Sequence, residues 1–204
     1  MNRDTKDKTK DKFDINKVFQ YAHNITIPSI IAEFNCMKLS CGCAEGDDVI
    51  AVVAKKLIEE DENNKVVIIS SDRDMIQLCQ DRLVLITAQG KVRNPKDDMA
   101  ALLKMKVEDI PDITSKDFLL FKIILGDSSD NIPNIKYGIG PKKAYKLMQD
   151  KNLLKDLLNE DQTIYDSFMR NKQLISMNEI PVDVINMITE EYEEEKAKLN
   201  AAIL

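Results

Sequence analysis

The stretch "DDVIAVVAKKLIEEDENNKVVIISSDRDMIQLC", residues 47–79, changes hydrophobic period twice. Val49, Ile50, Val53, Ala54 and Leu57 recur at spacings of one, three and four, which places them on one face of a helix. A polar break, "ENNK", ends that pattern, and Val66 to Ile69 follow as a short β-branched run that is apolar at both parities. Such a run is expected of a parallel strand buried on both faces. "DRDMIQLC" then reads as a second helical stretch, and "LVLIT", residues 83–87 ending near Gly90, as a neighbouring strand. Helix and strand in alternation predict an α/β sheet with covering helices.

Outward from this centre the pattern changes. Beyond Pro111 the strand signals fade, and "SKDFLLFKIIL", "PKKAYKLMQD" and "KNLLKDLLNE" all read as helices. The expected division is an α/β part over residues 1–110 and a helical part over 111–204. "KQLISMNEIPVDV" is interrupted by Pro181 and reads as an extended return, while "TEEYEEEKAKLNAA" reads as a solvent-facing helix. Towards the N-terminus, "FDINKVFQYA" places Phe13, Val18, Phe19 and Ala22 on a helical face, and residues 1–12 alternate charges as a solvated tail does.

Composition narrows the functional classes. The 204 residues are 44% hydrophobic and 31% charged, an ordinary globular balance, and the formal charge of -6 argues against a protein that coats nucleic acid by bulk attraction. Cys36, Cys41, Cys43 and Cys79 have neither a disulfide-framework nor a zinc-ribbon spacing and read as thiols. No apolar run is long enough for a membrane span and the N-terminus is too polar for a signal peptide, so a soluble intracellular protein is expected.

Acids gather at three element ends. "EGDD" supplies Glu45, Asp47 and Asp48 at the start of the first helix, "SSDRD" supplies Asp72 and Asp74 just after the strand, and "GDSSDN" supplies Asp127 and Asp130. Each has an ordinary explanation as a helix cap or a hydrogen-bonded turn. If the fold unites them, their repulsion raises several pKa values unless cations bind. Oxygen donors without His or Cys favour Mg²⁺ or Mn²⁺, and two such ions about 4 Å apart suit in-line attack by water on a phosphodiester. Directly after the third cluster, "NIKYGIGPKKAYKLM" carries Gly138, Gly140 and Pro141 and then Lys142, Lys143 and Lys146, with no acid between Lys136 and Lys146. A glycine turn opening a basic helix makes an anion site that contacts phosphate without reading sequence. A solvated lysine face is the plainer alternative.

In order and setting, "EGDD" with its apolar helix, "IISSDRDMIQL" and "ILGDSSDNIPNIKYGIGPKKAYKL" resemble the 5′-3′ exonuclease and flap endonuclease family over about residues 40–150. Members of that family include the nuclease domain of bacterial DNA polymerase I and phage ribonuclease H-type enzymes. The resemblance implies a PIN-like α/β nuclease domain followed by a helix-hairpin-helix region, hydrolysing DNA or RNA-DNA hybrid at 5′ ends and flaps with two divalent ions. It implies that Glu45, Asp47 and Asp48 hold the first ion and that Asp72, Asp74, Asp127 and Asp130 lie mostly around the second. Lys136, Gly138, Ile139, Gly140, Lys142 and Lys143 would contact duplex DNA, with K⁺ at the hairpin, and replication proteins would be partners. Arg3 would be the last basic residue of the family's arch. The first motif has Gly46 where the family has Ala, and the family's N-terminal strand with its Asp has no counterpart before "MNRDTKDKTK". A catalytically incomplete DNA-binding module, or a chain that needs a partner, is the alternative these departures leave open.

Overall fold

The computed structural model describes residues 14–203, so the charged tail, Arg3 and Phe13 lie outside the described residues. The chain separates into two units, one comprising Met1–Leu39 with Glu193–Leu204, the other Ser40–Tyr192. In the first unit, α1 (Ile15–Tyr21) begins at Asp14, whose carboxylate accepts the Asn16 N–H at 3.1 Å. It runs through a widened π turn, Ala22–Thr26, into α2 (Ile27–Phe34). Pro28, which lacks an N–H, is the second residue of α2, one place past that turn. Val18 and Phe19, which the sequence places on one helical face, are exposed.

The second unit carries the sheet and the acids. α3 (Gly46–Glu60) leads to β1 (Val66–Ile69), β2 (Leu83–Ile86) and the short β3 (Val92–Arg93). β1 pairs with β2 in parallel, Val66 opposite Leu83 and Ile69 opposite Ile86, and β2 pairs with β3 antiparallel. The parallel pair and its helical crossover agree with the α/β expectation, with two corrections. The segment after β1 is a tight 3₁₀ turn, Asp74–Leu78, because Cys79 turns extended and Gln80 already bridges to Leu83. β1 is also not buried on both faces: Ile68 is enclosed, but Val67 and Ile69 are 53% and 72% exposed. β1 is an edge strand of the sheet, and Val84 and Val92 are exposed with its outer residues.

The remaining elements are helical: α4 (Pro95–Leu103), α5 (Ser115–Leu125), α6 (Pro141–Gln149), α7 (Lys151–Glu160), α8 (Gln162–Ile175) and α9 (Val182–Ile203). Thr114 and Asp117 form a capping box at the start of α5, the Thr114 hydroxyl accepting the Asp117 N–H and the Asp117 carboxylate accepting the Thr114 N–H. "KQLI" completes α8 and "VDV" opens α9, so this piece is a helix-turn-helix corner rather than an extended strand. Pro181, which suggested a break, stands at a helix start, where its missing N–H costs nothing. α9 is not wholly solvent-facing either, since Ile188 and Tyr192 are 1% exposed. Apolar residues from both sides of Pro111, among them Ile68, Leu85, Phe118, Phe121 and Leu147, pack in one cluster behind the acidic element ends.

Candidate metal centre

The loop after α5 folds back on itself. Asp127 and Ile132 exchange backbone hydrogen bonds of 2.9 and 2.7 Å, and Gly126 enters the turn at φ +76°. A Cβ at Gly126 would press on the carbonyl oxygens of Ile132 and Pro133, 2.5 Å from the latter, so no other residue fits this backbone. From α8 the fully buried Asn171 amide donates to Ile123 O at 3.0 Å and to Pro133 O at 2.8 Å, tying helix and loop together.

That loop brings the second and third acid clusters together. Oxygens of Asp74, Asp127 and Asp130 lie within 4.8 Å of one another. They line an open groove of about 1240 Å³ together with Asp72, Arg73 and Arg93. A second, smaller cleft adjoins it, lined by Glu45, Asp47 and Asp48 and again by Asp74 and Asp130. Asp74 and Asp130 belong to both clefts, so all seven predicted acids fall in one continuous acidic region. Among the described residues neither cleft presents His or Cys, which leaves hard oxygen donors suited to a divalent cation.

The caps and turns read as alternatives coexist with this gathering. Asp48 accepts the Glu45 N–H at 3.1 Å at the start of α3, and Asp72 accepts the Asp74 N–H at 2.8 Å. Asp47 is left to face the others. Burial first, then the charges of Asp72, Asp74, Glu45 and Asp48, push its carboxyl above the usual range.

Lys122 was not singled out in the sequence. From the last turn of α5 its ammonium reaches Asp74 at 2.9 Å and makes a short contact with Asp127, and its side chain is only 13% exposed. Burial lifts the Asp74 carboxyl, and Lys122 offsets that only in part. Burial would lift Asp127 too, but hydrogen bonds from Lys122 and from Ser129 outweigh it and hold this carboxyl below its usual range. Burial opposes the charge on Lys122, yet its two carboxylate partners win and raise its pKa.

The glycine loop has a mixed environment. Gly138 adopts φ +81°, and Ile139, although counted among the contact residues, is 1% exposed, its carbonyl taken by the Asn134 amide at 3.1 Å. Lys136 pairs with Glu160 of α7 at 2.7 Å, so an acid does approach this region from elsewhere in the chain. Among the described residues Lys142, Lys143 and Lys146 form no ion pair, and α6 starts with Gly140 and Pro141 and has no acid in its first turn.

The family model of the 5′-3′ exonuclease N-terminal resolvase-like domain matches residues 16–109. DNA polymerase I of Thermus thermophilus is 32% identical over 128 residues, 63% of this chain and 14% of that protein. The 5′-3′ exonuclease of Buchnera aphidicola is 33% identical over 143 residues, 70% of this chain and 46% of that protein. This chain therefore spans less than half of each of these relatives. Among solved structures, bacteriophage T5 5′-exonuclease with bound zinc superimposes with a TM-score of 0.57 at 20% identity, covering 88% of this chain and 75% of that one. A T5 flap endonuclease complex with DNA and metal ions gives 0.50 at 21%, covering 72% and 58%. The fold is thus the resolvase-like nuclease fold with a helical C-terminal part, and the resemblance read from the acid motifs agrees with the match of residues 16–109 to the N-terminal domain of 5′-3′ exonucleases. Among the described residues no helix is long and apolar enough to cross a membrane.

Proposed function

We propose that this chain hydrolyses phosphodiesters at the 5′ ends and flaps of duplex DNA, with RNA-DNA hybrid as a second substrate, in replication or repair. The observation that carries the reading is the continuous acidic region that Asp74 and Asp130 share between two clefts. Its all-oxygen donor set fits two Mg²⁺ or Mn²⁺ ions, Glu45, Asp47 and Asp48 on one side and Asp72, Asp74, Asp127 and Asp130 on the other. Bound there, such ions would polarise the phosphodiester and activate the attacking water. The chain's own part is to fix the carboxylates: α3 holds one set at its first turn and the Gly126 loop holds another.

The segment Lys136–Lys146 is the proposed hairpin of a helix-hairpin-helix element between α5 and α6. Its free N–H groups and lysines would grip duplex phosphate, and its turn would take K⁺. The buried Ile135 and Ile139 fix this loop to the same core as the acids, so anchor and cutting site keep a set spacing. The test is cleavage of a 5′-labelled 5′-flap duplex in Mg²⁺, with binding measured separately in Ca²⁺. Cleavage lost in Asp127→Ala while Ca²⁺-supported binding persists is the expected result. Binding without cleavage by the unaltered chain would favour the DNA-binding module.

A further inference from the structure

Asp98 is a buried carboxylate, 7% exposed, in the first turns of α4. Its Oδ1 accepts from Arg73 Nε at 3.0 Å and lies 3.8 Å from Arg93 Nη1. Arg93 Nη1 also donates to Ser71 O at 3.2 Å. Arg73 and Arg93 come from the two edges of the sheet, one just past β1 and the other at the end of β3, and a single acid holds both. One carboxylate against two guanidiniums leaves a surplus positive charge, fixed in place rather than carried on a free side chain.

The surplus faces a demanding neighbour. The groove these arginines line is the acidic one, and apart from them the cation that lines it among the described residues is Lys122, which Asp74 and Asp127 already engage. A polyanion entering this groove meets repulsion from four aspartates unless something on its wall attracts it. Arg73 is held only at Nε among the described residues, which leaves the Nη edge of its planar fork available, the geometry that suits phosphate.

We propose that Arg73 and Arg93, clamped by Asp98, form a phosphodiester-binding site on the wall of the acidic groove, with Asp98 as the positioning residue. The site rests on the DNA reading above and adds to the lysine loop a second grip close to the aspartates. Its function is to hold the backbone of a nucleic-acid strand against the charge of the acids.

The experiment measures the affinity of the full chain for a 5′-flap duplex in Ca²⁺ by fluorescence anisotropy across a salt series. Variants are Arg73→Gln, Arg93→Gln and Asp98→Asn, each checked for folding by thermal unfolding. Each Arg variant should bind about tenfold more weakly and lower the salt slope by roughly one phosphate contact, ~0.9. Asp98→Asn separates positioning from bulk charge. Removal of a negative charge beside DNA would tighten binding, whereas loss of the clamp weakens it by a similar factor. Tighter binding by Asp98→Asn overturns its positioning role. Unchanged affinity and slope in the Arg variants overturn the site while leaving the DNA reading intact, and no binding by the unaltered chain overturns both. Should Asp98→Asn fail to fold, the half-exposed Arg73→Gln still decides the matter.

Discussion

Around Asp74 and Asp127 the chain supplies its own cation, Lys122, and Ser129 adds two hydrogen bonds to Asp127. Around Glu45, Asp47 and Asp48 no basic side chain among the described residues lines the cleft, and Asp47 feels four other carboxylates. The two halves therefore tolerate the metal-free state differently. One is held by an internal ion pair and a loop closed by backbone hydrogen bonds, the other by a helix start whose free N–H groups favour acids but cannot neutralise several of them. The balanced half gives the site its shape without metal, and the unbalanced half is where an external cation relieves most repulsion.

Removing the balance at Lys122 should have the largest effect. In Lys122→Met two partly buried carboxylates lose their cation, and metal-free stability should fall by as much as about 3–5 kcal/mol in urea unfolding. Mn²⁺ should restore more of it in the variant than in the parent, because the ion then replaces the missing charge. Equal stability in EDTA would break the comparison. Gly126→Ala attacks the same half through its backbone and should cost about 3 kcal/mol or more, since a buried Cβ would collide with backbone carbonyls. Asn171→Leu removes the donor that bridges the buried Ile123 carbonyl and the part-buried Pro133 carbonyl and should cost about 2–3 kcal/mol by the same measurement, with Mn²⁺ affinity little changed if Asn171 serves the fold alone.

The smallest effect belongs to the unbalanced half and depends on pH. The Asp47 carboxyl titrates above its ordinary 3.8, so between that value and the raised one the folded protein holds a proton that the unfolded chain has lost. Metal-free stability therefore declines as pH rises through this window, and the penalty persists above it. Asp47→Asn should remove the decline, by ~0.5 kcal/mol after solvent screening, seen as a melting temperature that falls less steeply with pH than the parent's. An identical pH profile would mean that repulsion at this cleft is already relieved.

Much of this was legible in the sequence because it is local. The helical period of α3, the parallel pairing of β1 with β2 and the positions of the three acid clusters all follow from short-range pattern and element ends. What was not legible depends on partners far along the chain. Lys122 sits inside an apolar helical run and gains its role only when Asp74 folds beside it, 48 positions away in sequence. Asp98 looks like one more acid at a helix start until Arg73 and Arg93 meet it, and Asn171 is an unremarked amide until two carbonyls converge on it. The exposure of Val67 and Ile69 was missed for a related reason: an apolar run announces a strand, but what covers its second face is a tertiary fact.

Calorimetric titration of Mn²⁺ into the metal-free chain, with Asp74→Asn alongside, tests the central claim most directly, since Asp74 belongs to both clefts. The account predicts saturable binding by the parent and a loss of affinity of tenfold or more in the variant, about 1.4 kcal/mol. No saturable binding by the parent, or equal binding by both, would contradict it.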